Sequence, residues 1–289
     1  MIDAGYASTG PQIIEHLEKY YNTNTIDLLI STHPDSDHVG GLTHVIENAE
    51  VKEFWIHKPW EHNENLAQEF ADGRITDESI ARRMQENLQK AYDAVKLAEK
   101  KKIEIEEPFQ GKTWDNATLV VVGPTQAYYE TLIPDFARMP EKAVATSGTE
   151  SIKSAYNYFV EKAKELVKYV ADWFSDEGID DKDTTSAQNN SSVIIKLEID
   201  GKTLLFTGDA GITALDMAAD HVTSSSLAFI QVPHHGSRRN IGPEVLNKLV
   251  GNIVSEGGGL EIFARLFLVR PVRKNTHINQ LLMRLLGVA

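Results

Sequence analysis

An α/β fold follows from three features of this sequence. Short aliphatic runs of strand length alternate with longer stretches whose apolar residues recur at helical spacing. Three of those runs, residues 26–30, 203–207 and 227–232, end directly in clusters of His and Asp, the place where α/β proteins put their chemistry. A length of 289 residues with 42% hydrophobic content suffices for one sizeable core.

In chain order, residues 11–20 place Ile13, Ile14, Leu17 and Tyr20 on one face of a short helix that has Pro11 at its start. Ile26-Asp27-Leu28-Leu29-Ile30 reads as a strand, and residues 31–38 as a polar loop at its C-terminal end. Gly40-Gly41 opens a helix holding Leu42, Val45 and Ile46, and residues 51–57 return as strand. An insertion follows, about residues 60–102, in which Met84, Leu88, Ala91, Tyr92, Val95 and Ala98 mark one face of a long helix. Strands resume at residues 103–105 and 118–122, the latter closed by Gly123-Pro124. A second insertion, about residues 135–185, is expected to hold a helix over 150–174 and then an acidic linker. Residues 192–198 and 203–207 pair as strands through Asp200-Gly201, a favoured hairpin turn. Residues 227–232 form the last strand, and the whole is expected to be one domain over 1–289 with an atypical tail at 260–289.

Composition narrows the partners. The formal charge of −13 repels polyanions and anionic membranes wherever it is not locally reversed, so a nucleic-acid substrate starts at a disadvantage. With no cysteine there is neither disulfide nor thiolate zinc site, and His and carboxylates must hold any transition metal. The chain lacks the roughly eighteen consecutive apolar residues of a bilayer span. Its start, Met1-Ile2-Asp3-Ala4-Gly5, lacks the basic flank and apolar run of a signal peptide. A soluble, cytoplasmic protein is the expectation.

The chemistry resides in His33, Asp35, Asp37 and His38, then Asp209, then His234-His235. Each cluster alone has an ordinary reading, because Asp and Ser after a strand cap helices and both His33-Pro34-Asp35 and Gly208-Asp209 suit turns. Their joint occurrence at three strand ends points to a site. Hydrolysis at neutral pH needs a nucleophile stronger than water, and divalent metals supply it by lowering the pKa of bound water to about 7. Two acids and two histidines within six residues repel unless cations lie between them. Asp209 is suited to bridge a pair of metals roughly 3.5–4 Å apart. His44, His57 and His62 lie outside the clusters and are expected to be surface or packing residues. Ser237, Arg238 and Arg239 follow the twin histidines; an Arg there suits a substrate phosphate or carboxylate, and a solvated basic turn is equally open.

The stretch Ser31-Thr32-His33-Pro34-Asp35-Ser36-Asp37-His38-Val39-Gly40-Gly41 resembles the His-x-His-x-Asp-His motif of the metallo-β-lactamase superfamily. Asp35 stands where the commonest form has its second His. This version is similar to the branch that includes the hydrolase domain of the ComEC competence protein. Asn189-Asn190-Ser191-Ser192, Leu204-Leu205-Phe206-Thr207-Gly208-Asp209 and Val232-Pro233-His234-His235-Gly236-Ser237 agree with that branch too, so the resemblance covers about residues 2–237. It implies an αββα sandwich with helical insertions and two divalent metal ions at one edge of the sheets. His33 and Asp35 would bind the first metal, Asp37 and His38 the second, Asp209 would bridge, and His234 or His235 would complete the second site. Asn190 and Ser191 occupy the region of the superfamily's third-motif His, which leaves the first metal short of nitrogen ligands. With Ser237 and Arg238 they are the expected substrate contacts. Affinity order favours zinc, while so oxygen-rich a site suits manganese or magnesium.

The expected reaction is in-line attack of a metal-bridged hydroxide, with Asp37 and Asp209 as the catalytic carboxylates, on a phosphodiester; DNA is suggested by the resemblance alone. A small-molecule ester or lactone hydrolase on the same site is the first alternative. A truncated, non-catalytic metal-binding or interaction protein is the second, and it stems from the two ends. Superfamily members begin with strands ahead of the turn in which Met1 lies here, and residues 260–289 depart from the branch's pattern. A sandwich truncated at both ends is therefore expected, its tail either a shifted reading frame or a divergent helix through Ile278, Leu281, Leu282, Leu285 and Leu286.

Overall fold

The computed structural model describes residues 1–143, 181–237, 239–250 and 266–267. Strands β1 (Thr25–Ile30), β2 (Glu50–Trp55) and β3 (Glu104–Glu106) form a parallel sheet in that order, with Leu29 opposite Phe54 and Ile30 opposite Trp55. The second sheet runs β4 (Thr113–Trp114), β5 (Leu119–Gly123), β6 (Ile194–Ile199), β7 (Lys202–Phe206), β8 (Leu227–Gln231) and β9 (Leu266–Phe267). It is antiparallel as far as β7 and parallel from β7 to β9. Asp200 and Gly201 join β6 to β7 with φ of 51° and 73°, the left-handed pair that a two-residue hairpin of the expected kind requires.

The alternation of side chains along each strand sorts the core into layers. Leu28, Ile30 and Trp55 from the first sheet meet Leu119, Val121, Val193 and Ile195 from the second, filling the space between sheets. Their neighbours Leu29, Val51 and Phe54 point the other way, into a layer of helices α1 (Thr9–His16), α3 (Leu42–Asn48), α4 (Asp77–Asn87) and α5 (Gln89–Lys101). The outer face of the second sheet, with Val122, Ile194, Leu205 and Ile230, is covered by α8 (Ile212–Ala219) and α9 (Pro243–Val250). Two short helices, α2 (Ser36–Val39) and α7 (Ala187–Asn190), and α6 (Gln126–Leu132) complete the set. The result is a four-layer αββα sandwich. Each fully buried Leu, Ile or Phe in these layers contributes roughly 1.5–3 kcal/mol.

One expectation meets a different outcome. The long helix of the first insertion is two helices that part at Leu88, where φ −109° and ψ 34° leave the helical region. A straight helix over both would run about 37 Å, further than a three-stranded sheet extends, and the break lets Ile80, Met84, Ala91 and Val95 all reach the same core. The helix expected over 150–174 and most of the tail at 260–289 lie outside the described residues. Among the described residues the free edge of β1 is bridged by the first residues, Ile2 to Ile30, beside an apolar groove of about 1110 Å³ lined by Leu28, Leu119, Leu197, Phe206 and Phe229. No helix among them is long and apolar enough to cross a membrane.

Candidate metal centre

Beyond β1 the chain stays buried through Ser31, Thr32 and His33, then turns into α2. Asp35 occupies the N-cap position of that helix, yet its carboxylate makes no capping bond. It instead accepts a hydrogen bond from Gln188 Nε2 at 3.1 Å, so the ordinary reading of Asp35 as a cap does not hold. The turn from α2 to α3 is packed against the first residues of the chain, because a Cβ on Gly41 would lie 2.3 Å from the Ala4 carbonyl oxygen. That contact sets Asp3 beneath the loop.

Asp3 then fixes both loop histidines. His38 Nδ1 donates to Asp3 Oδ2 at 2.7 Å. The Thr32 hydroxyl also donates to Asp3 Oδ2 at 2.7 Å and lies 3.0 Å from His33 Nδ1. Since its proton is committed to the carboxylate, the hydroxyl can only accept from His33 Nδ1–H. The Nε2 lone pair of His33 is thereby left bare, His38 is held by Asp3 through its other nitrogen, and both Nε2 atoms are buried with no hydrogen-bond partner.

The second sheet brings the remaining groups. Beyond β7, Gly208 takes φ 52°, and a Cβ there would meet Thr32 and Ser192 at 3.0 and 3.1 Å. This close approach of the two sheets sets Asp209 against the His33 loop. Beyond β8, His234, His235 and Gly236 are three successive left-handed residues, φ 48°, 53° and 80°. For the two histidines that conformation costs on the order of 1–3 kcal/mol each, strain of the kind retained at functional sites. Asn240, fully buried, donates from Nδ2 to the Asp209 carbonyl at 2.7 Å and presents Oδ1 to His234 Nδ1 at 3.1 Å.

The side chains converge on Asp209. Its Oδ2 lies 3.8 Å from both His33 Nε2 and His234 Nε2, and its Oδ1 lies 3.4 Å from His38 Nε2. His33 Nε2 is 3.9 Å from Asp35 Oδ2, and His235 Nε2 is 3.8 Å from Asp37 Oδ2. Ligand atoms of His33, His38 and Asp209 all lie within 4.8 Å of one another, as do those of Asp37, His38 and His235. Burial, then the neighbouring His38, pushes the His33 imidazole down to about 4. Burial pulls His38 down as well, but the carboxylates of Asp209 and Asp3 outweigh it and lift the ring to about 10. Burial and then Asp37 raise Asp35. Asp209 is pushed up by burial but held below its ordinary value by the imidazoles of His38, His33 and His234 around it.

All seven residues expected to hold metal thus share one cluster. The expected substrate contacts do not behave alike. Asn190 is buried and tied, donating from Nδ2 to Asp183 and accepting from the Gly211 N–H, while the Ser191 hydroxyl donates to the Gln188 carbonyl. Both side chains hold the fold together here. Ser237 lies at the partly exposed end of the His234 turn, and Arg238 lies outside the described residues. Asp3, Thr32, Gln188 and Asn240 were not singled out in the sequence. His57 is buried against Phe109 and Tyr129, and His62 bridges Glu107 and Glu130, which accords with packing roles.

The residues present fit divalent metal. Two inward-facing imidazole nitrogens buried without partners, grouped with the carboxylates of Asp209 and Asp37, are a donor set for divalent cations. A search of curated proteins finds no match to this chain. The family model described as the metallo-beta-lactamase superfamily matches residues 1–247. That match spans the first sheet, the second sheet as far as β8, and all three loops of the His and Asp cluster, and the chain therefore belongs to the metallo-β-lactamase superfamily, most of whose members are metal-dependent hydrolases.

Proposed function

We propose that this protein is a metal-dependent hydrolase acting on a phosphodiester. The supporting observation is the convergence of His33, His38 and His234 on both oxygens of one buried carboxylate, Asp209, with Asp35 beside His33 and with Asp37 and His235 grouped with His38. Two divalent ions held there, zinc by affinity order, would supply Lewis acidity and an activated water. The chain's own groups do the rest. Asp3 and Thr32 orient the His33 and His38 rings so that their Nε2 atoms are aimed inward. Asp37, half-buried, would accept a proton from the attacking water. Ser237, at the partly exposed end of the His234 turn, would face the substrate's non-reacting oxygens, a role the sequence also suggests for Arg238.

The formal charge of −13 favours a small diester over DNA, because Lys and Arg contacts to phosphate supply most non-specific nucleic-acid affinity. A small ester or lactone is the second reading on the same ground. Chelator-stripped protein, with zinc, manganese or magnesium added back, separates them on bis(p-nitrophenyl) phosphate, p-nitrophenyl acetate, an aryl lactone and single-stranded DNA. The expected result is metal-restored turnover of the diester that Asp209→Ala abolishes. Turnover of the carboxylic ester or lactone alone would replace the phosphodiester reading.

A further inference from the structure

We infer that the adjacent histidines serve different cations. His234 completes one pole with His33, Asp35 and Asp209 Oδ2, His235 completes the other with Asp37, His38 and Asp209 Oδ1, and Asn240 positions His234. This inference rests on the metal-dependent reading above and departs from the resemblance, which gives one histidine of the pair to the second site.

Geometry separates the poles. Two atoms bound to one cation through bonds of about 2.0–2.2 Å stand no more than roughly 4.4 Å apart. The contacts of His234 and His33 with Asp209 Oδ2, both 3.8 Å, meet that limit, as does the 3.9 Å between His33 Nε2 and Asp35 Oδ2. On the other side the limit is met by His38 to Asp209 Oδ1 at 3.4 Å and His235 to Asp37 at 3.8 Å. Among the described residues no contact within 4.0 Å joins His235 to Asp209 or His234 to Asp37, and Asp209, within 4.8 Å of both His33 and His38, stands between the two poles. The left-handed run at residues 234–236 sends two neighbouring rings to opposite sides, with centroids 6.1 Å apart.

Asn240 holds the ring of His234. Its amide Nδ2 is committed to the Asp209 and Thr185 oxygens, so its Oδ1 faces His234 Nδ1, which also lies 3.1 Å from Asn189 Nδ2, and these two amides fix the ring with Nε2 on the side of Asp209. The first pole then gains the nitrogen ligand that the sequence lacks at Asn190, whose own side chain is tied to Asp183 and Gly211.

The test is zinc per chain, by elemental mass spectrometry after dialysis, with affinities from competition against a chromophoric chelator. Both histidines are about half exposed, 40% and 47% at the side chain, so their variants are expected to keep the fold, which thermal melts verify. The expected wild-type content is about two ions. His234→Ala and His235→Ala should each keep about one, and the double variant none. Asn240→Ala should weaken one ion about 10–100-fold and spare the other. A double variant that keeps one ion at wild-type affinity, or either single variant that keeps both, overturns the assignment. Equal weakening of both ions, or of neither, in Asn240→Ala removes its positioning role. A wild-type chain that binds no zinc fails differently, because it removes the metal-dependent reading itself.

Discussion

Asp3 is a small acidic residue in a turn, φ 54°, and its two oxygens reach the Thr32 backbone, the Thr32 hydroxyl and His38 at once. Removing an outer carboxylate of this kind typically lowers metal affinity about 10–100-fold. Asp3→Ala should therefore weaken zinc by that factor in a chelator competition while the far-ultraviolet circular dichroism stays unchanged; full affinity would show that His33 and His38 are oriented by other means. His57 makes a separate prediction about pH. Burial pushes its pKa from 6.5 down to about 3 against the pull of Glu107. Between those values the unfolded chain binds a proton that the native chain refuses, so stability is intact above pH 6.5 and is lost as pH falls toward 3. His57→Phe should flatten this acid limb in melts taken from pH 7 to pH 4, and parallel limbs in the two proteins would contradict the assignment. At this scale the sequence displayed the clustered residues, because His and Asp packed at strand ends have few other uses. It did not display Asp3, Thr32 or Asn240, whose residue types are ordinary in turns and whose roles exist only through hydrogen bonds across 6 to 35 positions of chain.

The loops that present these groups depend on how elements meet. Gly41 begins α3 at a point where the Ala4 carbonyl leaves no space for a Cβ. Gly41→Ala should push residues 4 and 5 away, cost about 1–3 kcal/mol as an overpacked contact and lower zinc affinity by drawing Asp3 with them. Titration and thermal melts of the variant check both effects; loss of stability with full affinity would uncouple the turn from the site. The strands were legible for a simple reason: the C-terminal parts of β1 (Leu28 to Ile30) and β2 (Phe54 and Trp55) are apolar on both faces as parallel strands between helices and a second sheet must be, and Asp200-Gly201 specifies its own turn. The division of the first insertion at Leu88 was not legible, because both halves keep helical periodicity and the break answers to the size of the sheet beneath them. The short strand β4 and helices α6, α8 and α9 carry too few periodic residues to be assigned without their partners.

For the molecule as a whole, the two sheets are joined at one edge by groups that repel or remain unpaired without cations. Asp35, Asp37 and Asp209 come from both sheets, and so do the imidazoles facing them. Metal bound there ties the sandwich together and stabilises it by mass action, about 4 kcal/mol at a thousandfold excess over Kd. The measurement that tests this most directly is the divalent metal content of the purified chain, read together with its melting temperature before and after chelation. Wild type should hold about two ions per chain and melt several degrees lower once stripped, whereas Asp209→Ala should hold less than one and be indifferent to chelator. A wild-type chain that binds no divalent metal and melts at the same temperature with or without chelator would contradict the account.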